Sequence, residues 1–243
     1  MQKSDLIPVL RRELAAVKSL RLQARMDAQT DAARCALKRF QSARLSLTHA
    51  DLLAAPDTGA AAEFFLQELY SPQDLTQRDS DVERIIPTLE RLLPVAALQA
   101  ITDAVTLDAL SEQMDAAMAQ RLGEQFDEAQ YLQAYFAVTT HEQRSLQITL
   151  VQELGLALCD LVRIRFLATT LKMMRGPARL ANLHHLQAFL ERGFATFKAM
   201  RAPHAFVHTI VRRERQILAR IIAGDPAPYA MSGLQLDAQT PPA

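Results

Sequence analysis

The chain is expected to be all-α: a single multi-helix bundle with a long N-terminal helix and a disordered C-terminal tail. Three observations lead there. Only seven glycines occur in 243 residues. Ala, Leu, Gln, Glu and Arg dominate, and all are strong helix formers. Apolar residues recur every three or four positions, and strict period-two alternation is rare. The length suffices to bury a sizeable core. The apolar share of 49% and charged share of 22% suit an ordinary soluble globular protein.

The first segment, residues 1–53, reads as one long basic helix over Leu6 to Leu53. It has no Gly, and its only Pro, Pro8, falls in the first turn. Leu6, Leu10, Leu14, Val17, Leu20 and Ala24 form a stripe that thins to Ala28, Ala32, Cys35 and Ala36. Arg21, Asp31 and Lys38 fall on the continued seam, so a sustained coiled coil is excluded. A long antiparallel hairpin arm or a dimer element is expected instead. Ala54 to Gly59, with Pro56, Asp57 and Gly59, reads as a loop.

Residues 60–224 read as the bundle proper. A short apolar helix, Ala60 to Tyr70, comes first. Ser71-Pro72-Gln73-Asp74 resembles a capping box with Pro at the first helical position, and Thr76-Gln77-Arg78-Asp79 repeats the pattern. Pro87 and Pro94 should each kink or restart a helix. Val95 to Leu122 follows, with a bend near Thr102 to Thr106 and a stop at Gly123. Asp127 to Thr139 is a further helix. Thr140 to Arg175 reads as the central helix, because apolar residues occupy nearly every face between Leu146 and Leu171. Gly176-Pro177 reads as its stop. Ala178 to Met200 is amphipathic, and Pro203 opens a last helix that reaches Ile222 before Gly224. Residues 225–243, with four prolines and few apolar side chains, read as a loose tail.

Charge is strongly segregated, although the formal net charge is zero. From Asp57 to Glu128 four Arg stand against fifteen Asp and Glu, a balance of −11. Residues 1–51 carry ten basic and five acidic side chains, giving +5, and residues 129–243 carry thirteen and seven, giving +6. Such a chain can dock on itself, on a second copy or on a partner. Overall neutrality argues against a general nucleic-acid binder. Arg212, Arg213, Arg215 and Arg220 make the last helix basic, but Glu214 interrupts the run. Pairing with the acidic middle is the better reading.

No targeting or membrane segment is expected. Residues 1–20 lack a continuous apolar stretch, and the most apolar region is broken by Asp160, Arg163 and Arg165. Cys35 and Cys159 lie far apart with no metal-type spacing, so both read as core residues of a cytoplasmic protein.

Catalytic signatures are absent: there is no HExxH, no Glu-x-x-His, no Gly-rich phosphate loop and no nucleophile elbow. His204 and His208, four apart, are weak metal candidates that lack a specified third ligand. His184 and His185 sit among apolar residues without any specific haem signal. No cofactor is expected. Asp160, Arg163 and Arg165 suggest a polar pocket for a small anion, or a structural ion pair that fixes helix register.

The block Glu63-Phe-Phe-Leu-Gln-Glu-Leu-Tyr-Ser-Pro-Gln-Asp-Leu-Thr-Gln-Arg-Asp79 resembles the signature of a bacterial family of all-helical proteins of unknown function. Arg175-Gly-Pro-Ala-Arg179 and Leu186-Gln-Ala-Phe-Leu-Glu-Arg-Gly-Phe194 are similar to its second half. The resemblance implies a helical fold and assigns no activity, cofactor or catalytic residue. Within the block, Tyr70, Asp74, Arg78 and Asp79 are the first candidates for a functional surface; a capped helix–helix corner is the structural alternative. Taken together, these features lead to the expectation of a non-enzymatic interaction or regulatory protein that self-associates or meets a protein partner. A small-ligand bundle centred on Asp160 and Arg163 is the competing expectation.

Overall fold

The computed structural model describes residues 2–69, 76–173, 175–180 and 183–230. All regular structure among them is helical. In chain order the helices are α1 (Lys3–Arg25), α2 (Ala28–Thr48), α3 (Ala50–Ala54), α4 (Gly59–Leu69), α5 (Thr76–Leu92), α6 (Val95–Leu122), α7 (Glu128–Val138), α8 (His141–Leu161), α9 (Arg165–Met173), α10 (Arg175–Leu180), α11 (His184–Ala199) and α12 (Pro203–Ile222).

The long N-terminal helix ends at Arg25 rather than Leu53. Asp27 breaks it: its backbone is extended and its carboxylate accepts from the Thr30 amide at 2.9 Å, which caps α2. Leu6, Leu10, Leu14, Val17 and Ala24 of the expected stripe are buried, and Arg21 rather than Leu20 continues it. A second break comes at Val162 to Ile164, so the helix expected over Thr140 to Arg175 is divided into α8 and α9. α9 ends at Met173, and Gly176-Pro177 lies in the first turn of α10, where a proline's missing N–H costs no intrahelical bond. Pro87 lies inside α5 without ending it, whereas Pro94 caps α6.

α6, not α8, is the hub. It touches α1, α2, α7 and α8, and α8 also packs on α12 and α11. α1 runs antiparallel to α5, as Lys3 donates to the Glu90 carbonyl while Lys18 pairs with Glu83 and Arg21 with Asp79. Apolar clusters fill the bundle, three of them between its main helices. Leu6, Leu10, Leu14, Ile86, Leu89 and Leu98 join α1, α5 and α6. Leu37, Met118, Tyr131 and their neighbours join α2, α6 and α7. Cys159, Phe197, Phe206, Val207 and Val211 join α8, α11 and α12 to Ala61 and Ala62 of α4.

After α12, Gly224 turns the chain at φ +74°, and Arg220 holds the segment by donating to Asp225 and to the Ala227 and Ala230 carbonyls. Tyr229 packs against Ile217, Ile221, Leu132 and Tyr135. The remainder of the expected tail, residues 231–243, lies outside the described residues.

Candidate functional site

The segregated charges meet within the chain. Arg21, only 5% exposed, donates to Asp79, to both oxygens of Asp108 at 2.8 and 3.0 Å, and to Glu112 at 3.2 Å. Glu112, 1% exposed, also receives Arg34 and, at 2.6 Å, Lys38. Burial alone would push the Glu112 carboxyl up. Lys38, Arg21 and Arg34 outweigh burial and hold it down at about 2. Neighbouring Asp115 accepts from Gln41 at 2.8 Å, yet burial and the Glu112 charge push its pKa up. The basic helices α1 and α2 therefore close over the acidic face of α5 and α6.

Arg213, Arg215 and Arg220 of α12 find partners outside that acidic middle. Arg213, 1% exposed, donates to both Asp51 oxygens at 2.7 Å and to the Thr48 carbonyl at 3.2 Å. Arg215 donates to Gln152, and Arg220 to Asp225. The interrupting residue, Glu214, turns inward. Arg44 donates to its two oxygens at 2.6 and 2.7 Å, and His49 Nε2 stands 3.1 Å away. Burial would raise the Glu214 pKa, but Arg44 and His49 hold it at about 2.

Beside this pair lies a cavity of about 130 Å³ where α2, α3, α4, α6, α8 and α12 converge. Its wall is mostly aliphatic and aromatic, formed by side chains such as Phe65, Leu107, Ile148, Val151 and Val207. His49, Glu214 and Gln147 supply its polar end. Gln147 donates to Ser111 at 2.8 Å. His49 is 6% exposed, and its Nδ1 is buried without a hydrogen-bond partner. Gly155 lets α8 and α12 approach closely at this wall: a Cβ there would stand 2.8 Å from a Val207 methyl.

The residues singled out by sequence are dispersed. Asp160 and Arg163 lie exposed at the end of α8 instead of lining an interior pocket. The Asp160 side chain is 74% exposed and faces His204 at 3.7 Å. The Arg165 side chain lies outside the described residues. His204 is half-buried and His208 exposed, and no group of three or more potential metal ligands is found among the described residues. In the joint, Tyr70, Asp74 and the Arg78 side chain lie outside the described residues. Asp79, 2% exposed, is a partner of Arg21 and offers no free surface.

Sequence reasoning missed the cavity and its polar end. One signal was present: Val207, Val211, Glu214 and Leu218 share a helical face, so the acid falls on a buried stripe.

Fold and cavity together define a class, an all-α bundle organised around one hub helix with an apolar cavity lined in part by an ion-paired glutamate. The chain belongs to the family described as Domain of unknown function (DUF8198), whose model matches residues 20–228. That stretch contains the whole ion-pair network and every residue lining the cavity. No curated protein and no solved structure matches the chain. No helix among the described residues is long and apolar enough to cross a membrane.

Proposed function

We propose that the chain is a non-enzymatic regulatory binding module that takes up a small, largely apolar molecule in the cavity between α2, α3, α4, α6, α8 and α12. The carrying observation is the cavity itself: about 130 Å³, apolar over most of its wall, with the His49–Glu214 contact and Gln147 as its polar lining. Its volume is near that of apolar cavities of about 150 Å³ that hold benzene. Glu214 and Gln147 are already engaged by Arg44 and Ser111, which suits holding a molecule rather than transforming it. The ligand-binding expectation is thereby moved from Asp160 and Arg163 to a different part of the bundle. Two free cysteines, with Cys159 buried in the core, support a reducing cytoplasmic setting. The Phe64 to Asp79 signature as a mark of a bacterial family belongs to the same reading.

The test is thermal unfolding with and without benzene or indole, in the wild type and in Val151→Phe, which fills the cavity. A raised melting temperature in the wild type that Val151→Phe abolishes supports the reading. No shift with either probe overturns it.

A second reading, self-association or docking on a protein partner, is favoured by α9. Phe166 and Met173, seven residues apart on one helical face, are 63% and 74% exposed. The segregated charges no longer motivate it, since α1 and α2 use them internally. Sedimentation velocity of the wild type and of Phe166→Ser/Met173→Ser tests it: association in the first that is lost in the second supports α9 as the contact. A monomeric wild type removes self-association.

A further inference from the structure

We infer that the cavity selects a neutral molecule carrying one hydrogen-bond donor, such as a small phenol or an aromatic N–H compound, and that His49 Nδ1 receives this donor. The inference rests on the cavity's being a binding site and adds the chemistry of what it admits.

The tautomer of His49 follows from its neighbour. Glu214 is held ionised by Arg44, so both its oxygens only accept. His49 Nε2, 3.1 Å from Glu214 Oε1, must therefore carry its proton and donate. In the neutral ring Nδ1 is then the acceptor. It is buried, in a residue that lines the cavity, and nothing donates to it. A buried acceptor left unmade costs free energy that a donor on the ligand recovers.

Charge decides the rest. The formal charges of Glu214 and Arg44 already neutralise one another, one Arg44 nitrogen reaching both carboxylate oxygens. A carboxylate ligand would add a second anion beside Glu214 in an apolar surround, without a free cation to receive it. Gln147 gives one of its two amide N–H groups to Ser111 and is neutral, so it supplies no charge to balance an anion. The lining thus offers one unspent acceptor and no unspent cation.

The experiment uses the full chain at about pH 8, where a free benzoic acid is ionised and phenol is largely neutral. Toluene, phenol and benzoate are titrated while unfolding temperature and the ring 15N resonances of His49 are followed. Toluene and phenol should both stabilise, benzoate should not, and only phenol should move the Nδ1 resonance. In His49→Phe, phenol should lose about tenfold in affinity relative to toluene, as one hydrogen bond of roughly 1.4 kcal/mol implies. The resonance readout needs no variant, so misfolding of His49→Phe leaves the test standing. If toluene binds but phenol leaves His49 unmoved, or if benzoate binds more tightly than phenol, the selectivity is overturned while the cavity survives as a site. If none of the three binds, the binding-site reading fails, and this inference with it.

Discussion

Arg21 of α1 and Glu112 of α6 are ninety-one residues apart and meet at 3.2 Å, both almost wholly buried. Two more cations from α2, Arg34 and Lys38, converge on the same carboxylate. Removing one member of such a network leaves charges uncompensated in a low-dielectric interior. Glu112→Gln is expected to destabilise the fold by about 3–5 kcal/mol, the cost typical of breaking a buried pair. Arg21→Met should cost a similar amount, because Asp79 and Asp108 lose a partner as well. Denaturant unfolding measures both. A loss below about 1 kcal/mol, the range of exposed pairs, would contradict the network's role.

The same carboxylates set an acid limit. Glu112 and Glu214 are each depressed from the ordinary 4.5 to about 2 in the fold. A depressed folded value contributes stability that is fully present above the unfolded value and is lost as pH falls through the folded one. Stability should therefore decline between about pH 4.5 and pH 2, by about 3 kcal/mol for each group. Asp115 acts in the opposite sense, because its raised value weakens the fold once it ionises. Unfolding followed across this range should show the decline, and Glu112→Gln should flatten it.

Arg44→Met isolates the second pair. Without the arginine, Glu214 loses its donor to both oxygens and keeps the His49 contact, and burial should raise its pKa. The part of the acid transition due to Glu214 is then expected at higher pH, with lower stability near pH 7 by roughly 3 kcal/mol. A pH titration of unfolding checks both, and an unmoved transition would show that Arg44 does not control Glu214.

Gly155→Ala probes the wall between α8 and α12. The added methyl would stand 2.8 and 2.9 Å from the two Val207 methyls, so the helices must shift. Overpacking is expected to cost about 1–3 kcal/mol, less the gain of up to about 1 kcal/mol for Ala over Gly in a helix. Val207→Ala should relieve much of the loss, and a double-mutant cycle gives the coupling. Additive losses would mean that the close approach is not what requires glycine.

The helical class and several boundaries were legible, because they are local. Gly123, Pro94, Pro203 and the 54–59 loop mark ends by turn and cap chemistry alone. Asp27 was equally local but was outweighed by an unbroken helix-forming composition around it; Asp followed three residues later by Thr is the capping signal. Arg21 and Glu214 were harder. Each sits on a stripe of buried apolar residues, and pattern reading discounts a charge there as off-face. Their burial depends on partners more than eighty residues away, Glu112 and Arg44, which periodicity does not encode. The cavity was illegible for the same reason, since its wall is assembled from α2, α3, α4, α6, α8 and α12, three of which give a single side chain.

The convergence of α1 and α2 on Glu112 makes their seating discrete. Successive residues on a helix are turned by about 100°. A slip of a single position along α6 would swing Arg21 away from Asp108 and Glu112 and put uncharged neighbours, Leu107 or Ala109 and Ser111 or Gln113, in their place. No intermediate placement keeps the acids satisfied, so the two basic helices engage in one setting or not at all. A solitary carboxylate thus works as an index mark against which nearly fifty residues are aligned.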